Sequence, residues 1–218
     1  MRLFLSCFNM LICFFAMVSC HPTTTHEYFK EEAVTDTDSV YKENYFRYLD
    51  IKEVTYEYPS IDHICEFDAL IKAEAGKIDW DWRLLASIIY QESRFNPDLI
   101  NEKGAFGLMQ LMPVVMEKYG IDYDSSVEAQ LEAAGKLLLF FNRDLPESIN
   151  DDIERRKFIL ASYNAGLGNV LKARTRAEQH GKNPDVWSYN VEEYAPRQTF
   201  YFVREITKRY SYYKKVIK

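Results

Sequence analysis

The sequence predicts an all-α domain, and three observations carry that prediction. From Ile61 onward, apolar residues recur at three- and four-residue spacing, the repeat of a helix face. Asp, Ser and Pro stand before these runs and Gly after them, which are the residues that start and stop helices. No stretch alternates apolar and polar residues in the way a half-buried strand does. The 218 residues suffice for one domain with a sizeable core plus a tail.

The chain opens with a segment that is not read as fold. Met1-Arg2 is a short basic start, Leu3 to Val18 is apolar apart from Ser6 and Asn9, and Met17-Val18-Ser19-Cys20 follows. This is the layout of a secretory signal. Cysteine after Val18-Ser19 resembles the lipobox of bacterial lipoproteins, with Met17 where Leu is usual. The resemblance implies a signal peptide over 1–19, cleavage before Cys20, and a lipid on Cys20. A plain signal or an uncleaved anchor is the simpler alternative. Cys7 and Cys13 would leave with the signal, so Cys65 has no partner for a disulfide and reads as a small buried hydrophobe.

Residues 20–60 read as a tether. His21 to Val40 is polar, rich in Thr, Asp and Glu, and has no apolar period. A coil of about forty residues spans on the order of 35 Å, enough to carry a domain away from a bilayer. Tyr41 to Tyr58 mixes aromatics with charges and is expected to pack across the domain surface. Residues 61–218 are the predicted helical domain.

Within that domain the first helix runs from Ile61 through Ile64, Ile71 and Ala75, with Gly76 as its stop. The second starts near Asp79 or Asp81 and holds Trp82 to Ile89. A loop from Phe95 to Gly107 contains the breakers Asn96-Pro97 and Gly104. Pro113 suits a first helical turn, where no N–H is needed. Ser125 or Ser126 caps a long helix with the stripe Val127, Leu131, Ala134, Leu138 and Phe141. Asp151 or Asp152 begins a helix through Phe158, Ile159 and Ala161 to Gly166, and a shorter one covers Asn169 to Gln179. The last carries Phe200, Val203, Ile206, Tyr210, Tyr213 and Ile217.

Composition narrows the function. A net charge of −6 argues against nucleic acid, which needs a basic field. Sixteen Tyr and fourteen Phe suit a core and equally a carbohydrate site. No cluster has metal-ligand spacing, so no metal or other cofactor is expected.

The residue with chemistry is Glu92. It follows Leu85, Ile88 and Ile89 at i+7, i+4 and i+3, so its carboxyl continues their apolar stripe. Desolvation there raises its pKa, and a carboxyl protonated near neutrality can act as a general acid. The plain alternative is an exposed glutamate on a last turn. Three further stretches stand out. Gly104-Ala105-Phe106-Gly107-Leu108-Met109-Gln110 sets two glycines before a polar Gln that can offer a donor and an acceptor to a sugar. Ala161-Ser162-Tyr163-Asn164-Ala165-Gly166 ends a buried helix with a phenol and an amide. Pro196-Arg197-Gln198-Thr199-Phe200-Tyr201-Phe202-Val203 opens the final helix. Each alone is explained as a turn, a cap or a helix start.

In this order, Glu92-Ser93, Gly107-Leu108-Met109-Gln110 and Tyr163-Asn164-Ala165-Gly166 resemble the soluble lytic transglycosylase (SLT) family, over roughly Ile61 to Tyr213. The likeness is strongest to the catalytic domain of the membrane-bound F-type murein enzymes, which carry a further domain before it. The room before Ile61 is expected to be too short for that domain. The resemblance implies a goose-type-lysozyme-like helical fold and a cell-envelope enzyme on the periplasmic side, monomeric and anchored through Cys20, with the outer membrane the expected site. The implied substrate is the β-1,4 bond between N-acetylmuramic acid and N-acetylglucosamine in peptidoglycan, left as a 1,6-anhydro end. Glu92 is then the catalytic acid and base. Ser93, Met109, Gln110, Tyr163, Asn164 and Tyr201 are the implied substrate-binding residues. Gln198 and Phe202 stand where the family has Glu and Tyr, and Asn101 where it has Ser. Two other readings stay open. One is a muramidase on the same fold, using a second carboxylate such as Asp98 or Glu102. The other is a non-catalytic glycan-binding lipoprotein.

Overall fold

The structure is a computed structural model in which residues 62–217 are described. The expected signal over 1–19, the lipidated Cys20 and the tether to residue 60 lie outside the described residues.

Seven α-helices and one short 3₁₀ turn make up this region: α1 (Asp68–Lys77), α2 (Trp82–Ser93), α3 (Pro113–Tyr119), α4 (Val127–Asp144), α5 (Asp152–Ala165), α6 (Leu167–Gln179), the 3₁₀ turn (Val191–Tyr194) and α7 (Arg197–Val216). Among the described residues there is no strand; isolated bridges join Phe106 to Ile100 and to Leu111.

α2 is the central element. Leu84 through Ile89 are all buried, and the helix packs on α1 on one side and α7 on another. Each large aliphatic side chain so buried contributes about 1.5–3 kcal/mol, which is why a helix of twelve residues can be held firmly. Its start is well determined. Asp81 is the N-cap, its carboxylate accepting from the Arg83 amide and guanidinium and from the Tyr210 hydroxyl at 3.1 Å. Arg83 also donates to the carbonyl of Ile217, so the C-terminal half of α7 is tied to the start of α2.

α4 packs on α1 and α5, and α5 on α6 and α7. Leu131, Ala134, Leu138 and Phe141 are buried as the stripe predicts, and Ser126 is the cap. The turn after α4 is closed by Arg155, whose guanidinium donates to the Asn142 side chain and to the carbonyls of Pro146 and Ile149. A cation at a helix C-terminus also suits the helix dipole.

Three boundaries differ from the sequence reading. α1 starts at Asp68 rather than Ile61, because the Asp68 carboxylate accepts from the amides of Ile64 and Cys65 and folds that stretch into turns. It also runs through Gly76 to Lys77, and the reversal falls on Asp79 at φ 55°. α6 begins at Leu167, not Asn169, since Gly166 at φ 81° makes the whole break from α5. The Asn169 side chain reaches back to the Ala165 carbonyl.

Candidate active site

α2 ends in two consecutive left-handed residues, Arg94 (φ 56°) and Phe95 (φ 66°), which turn the chain abruptly into the loop over residues 95–112. Glu92 sits in the last turn before this reversal, half-buried. Burial raises its carboxyl from an ordinary value to about 8. Glu92 is therefore mostly neutral at neutral pH and able to donate a proton.

Ser93 is turned away from the cleft. It is 3 % exposed, and its hydroxyl donates to the Leu108 carbonyl at 2.8 Å and to the Ile89 carbonyl at 3.3 Å. Its place is in the joint between α2 and the loop, not against a sugar. Met109 is likewise fully buried, and its contribution to the site is its backbone carbonyl. That carbonyl accepts from the Tyr163 hydroxyl at 2.6 Å. Burial and the charge of Glu92 push the Tyr163 phenol well above its usual range, so Tyr163 stays neutral and within electrostatic reach of Glu92. Gln110, at φ 48°, directs its amide into the loop, donating to the carbonyls of Leu99 (2.9 Å) and Gly107 (3.0 Å). The donor that sequence reasoning offered to a sugar is used to shape the turn.

Asn164 and Tyr201 do face open space. Together with Gln91, Arg197, Gln198, Phe202 and Glu205 they line a cavity of about 450 Å³ between the end of α2, the end of α5 and the start of α7. The Asn164 amide oxygen accepts from the Thr199 hydroxyl at 2.8 Å, which orients it. The Tyr201 ring carries the Arg204 guanidinium 4.8 Å from its centroid, with Arg197 at 5.7 Å. Gln198 and Phe202, the two departures from the family motif, both border this cavity. Glu205 puts a carboxylate on its wall, paired with Arg204 at 2.9 Å, whereas Glu92, next to the lining residue Gln91, is not itself among the residues that line it. Asp98 and Glu102, the carboxylates considered from sequence, are exposed on the loop. Among the described residues no three His, Cys, Asp or Glu side chains gather as metal ligands.

Several residues here escaped sequence reasoning. Thr199 and Arg197 lay in a motif without a legible role. Gln130 interrupts the apolar face of α4 one residue before Leu131, a signal that could have been read. It is 2 % exposed and hydrogen bonds three separate backbone groups.

Comparison with known proteins places this geometry. The Transglycosylase SLT domain family matches residues 69–186. A membrane-bound lytic murein transglycosylase F from Alteromonas mediterranea is 32% identical over 169 residues, covering 77% of this chain and 35% of that protein. Another protein of that name, from Pasteurella multocida, is 40% identical over 114 residues, covering 52% of this chain and 23% of the relative. The chain thus spans about a third or less of the length of these relatives. Among solved structures, an inactive mutant of the lytic transglycosylase Slt from Pseudomonas aeruginosa superposes with a TM-score of 0.52 at 23% identity, over 70% of this chain and 25% of that one. The 70 kDa soluble lytic transglycosylase of Escherichia coli does so with a TM-score of 0.52 at 24% identity, over 68% of this chain and 24% of that one. Both likenesses concern the helical fold. By the family match over residues 69–186, on a helical domain that presents Glu92 beside Tyr163, this chain belongs to the Transglycosylase SLT domain family.

Proposed function

We propose that this protein is a peptidoglycan lytic transglycosylase. It cleaves the β-1,4 bond between N-acetylmuramic acid and N-acetylglucosamine and leaves 1,6-anhydro-muramyl ends. The observation that carries the reading is Glu92, raised to about 8 by burial at the end of α2. Glu92 protonates the leaving oxygen. The substrate's acetamido group stabilises the cation-like centre that results. Glu92, now a carboxylate, takes the proton of the sugar's own 6-hydroxyl as that oxygen closes the ring. Because the nucleophile belongs to the substrate, its attack is intramolecular and no second carboxylate need position a water. The relatives named lytic murein transglycosylase support the same reading.

A hydrolase reading draws on one observation, the Glu205 carboxylate on the cavity wall. Arg204 engages it, which disfavours a role in activating water. The deciding experiment is mass spectrometry of sacculi digested by the purified protein. Products one water lighter than hydrolytic muropeptides, and inert to sodium borohydride, are expected. Reducible muramyl ends would identify a muramidase, and no product at all a binding protein.

For location, the proposal is an envelope protein facing the periplasm and anchored through lipid on Cys20, in the outer membrane. It is supported by the basic-apolar-cysteine opening of the chain. Stable anchoring needs more than one acyl chain, as a lipoprotein cysteine would carry. Cys20→Ala should release the protein from membranes or block its processing. Continued membrane binding at the mature size would refute the anchor.

A further inference from the structure

Gln130 lies on α4, away from the cavity, yet its side chain is almost wholly enclosed at 2 % exposure. A buried amide must have its donors and acceptor matched, or it destabilises the fold. Two of its three bonds go to the loop and the third to the turn just before its own helix. Oε1 accepts from the Leu108 amide at 2.9 Å. Nε2 donates to the Pro97 carbonyl at 3.2 Å and to the Ser125 carbonyl at 3.1 Å. The loop is cut to receive it: a Cβ on Gly107 would stand 2.1 Å from Oε1. Glycine at that position is therefore required by the close approach as well as by its φ of 79°.

These contacts form a chain to the catalytic carboxyl. Leu108, whose amide Gln130 holds, offers its carbonyl to Ser93, the neighbour of Glu92. The next residue, Met109, offers its carbonyl to Tyr163, whose phenol lies within electrostatic reach of Glu92. The Pro97 bond fixes the other limb of the loop, just after the left-handed pair that ends α2. A single side chain thus clamps both limbs against α4.

We propose that Gln130 is a positioning residue for the reaction. By clamping the Pro97 and Leu108 limbs of the loop, it keeps the Met109 carbonyl on Tyr163 and the Leu108 carbonyl on Ser93, the neighbour of Glu92. This rests on the lytic reading for its kinetic consequence, but not for its structural one. Without the clamp, Leu108 N–H and two carbonyls lose their partner and seek water. Water admitted beside Glu92 stabilises its charged form and lowers its proton affinity.

The test uses the full chain with Gln130→Leu, and with Gln130→Glu, which keeps the shape and an acceptor but loses the amide donors. Turnover is measured on soluble glycan strands across pH, normalised to folded protein. A fall in kcat of about tenfold or more is expected for Leu, with KM within about twofold, as for loss of positioning rather than of binding. The alkaline limb should move to lower pH by about one unit, a tenfold loss of proton affinity for Glu92. A structural role alone would lower the melting temperature and leave that limb in place. If the Leu variant does not fold, the Glu variant is held to the same criteria. Carboxyl NMR titration of Glu92 in wild type and variant reads the same shift without substrate, so the inference is tested even if wild type makes no anhydro product. Turnover within threefold of wild type, or a Glu92 titration that does not move, would overturn the proposal.

Discussion

One helix carries two carboxyls with opposite behaviour. Asp81 caps the start of α2 and Glu92 sits in its last turn. Burial pushes on both in the same direction, toward the neutral acid. At Asp81 it is outweighed, because the Arg83 guanidinium and amide and the Tyr210 hydroxyl hold the pKa below the usual value. At Glu92 no such set of donors opposes it, and the pKa rises to about 8. Depth and partners together separate the two: Glu92 is the more deeply buried and meets no opposing donors, while Asp81 is shallower and held by three. The helix ends contribute as well: a carboxylate is favoured at an N-terminus and disfavoured at a C-terminus.

The comparison can be broken at the reactive end first. Glu92→Gln removes the transferable proton and the base in one change. General acid catalysis is worth about 10²–10⁴-fold, and the loss in kcat should reach or exceed that range. The variant should still bind glycan strands in a pull-down with sacculi. Activity within tenfold of wild type would show that another group carries the chemistry.

The same variant has a second signature, in stability. The pKa of Glu92 lies higher in the folded chain, about 8 against 4.5, so the unfolded chain ionises first. The neutral carboxyl therefore contributes fully below the unfolded value, and that contribution is lost as pH rises toward 8. Glu92→Gln has nothing to ionise. Its melting temperature should match that of wild type in acid and pull ahead between pH 4.5 and 8. A difference of a few kcal/mol, or several degrees, is expected at the alkaline end. Parallel curves would mean that Glu92 is well solvated.

At the structural end the sign reverses. Asp81→Ala deletes the cap and leaves Arg83 and Tyr210 without their acceptor. A loss of about 1–3 kcal/mol is expected at neutral pH. Because the Asp81 pKa is depressed on folding, its contribution is present above the unfolded value of 3.8 and disappears as pH falls through the lower folded one. The stability gap between wild type and variant should thus close in acid, while kcat per folded molecule stays unchanged. Loss of activity without loss of stability would join the two carboxyls functionally and end the contrast.

The smallest effect concerns Glu205, a carboxylate that borders the cavity but resembles Asp81 in having an arginine partner. Glu205→Gln should change turnover by less than about threefold, as for a half-exposed ion pair. The product should keep its anhydro ends. A change in product, or a loss approaching that of Glu92→Gln, would move Glu205 into the chemistry and revive the hydrolase reading.

Sequence by itself determined the helices and singled out Glu92 as the carboxyl on a buried face. The period of Leu85, Ile88 and Ile89 set the buried face of α2, and counting forward along that face reached Glu92 with its raised pKa. Caps at Ser126 and Asp151 and the first-turn Pro113 were legible because they act on neighbours a few residues away. What the loop side chains do was decided only in three dimensions. Ser93, Met109 and Gln110 read as ligands for a sugar, yet their bonds run to Leu108, Tyr163 and the loop backbone. Gln130 drew no reading from sequence, and its three partners lie up to 33 residues away. Local periodicity encodes which face is buried, since each turn of a helix repeats the same geometry. It holds no record of which distant carbonyl will be left needing a donor, and that need, settled only when the loop meets α4, assigns these polar side chains.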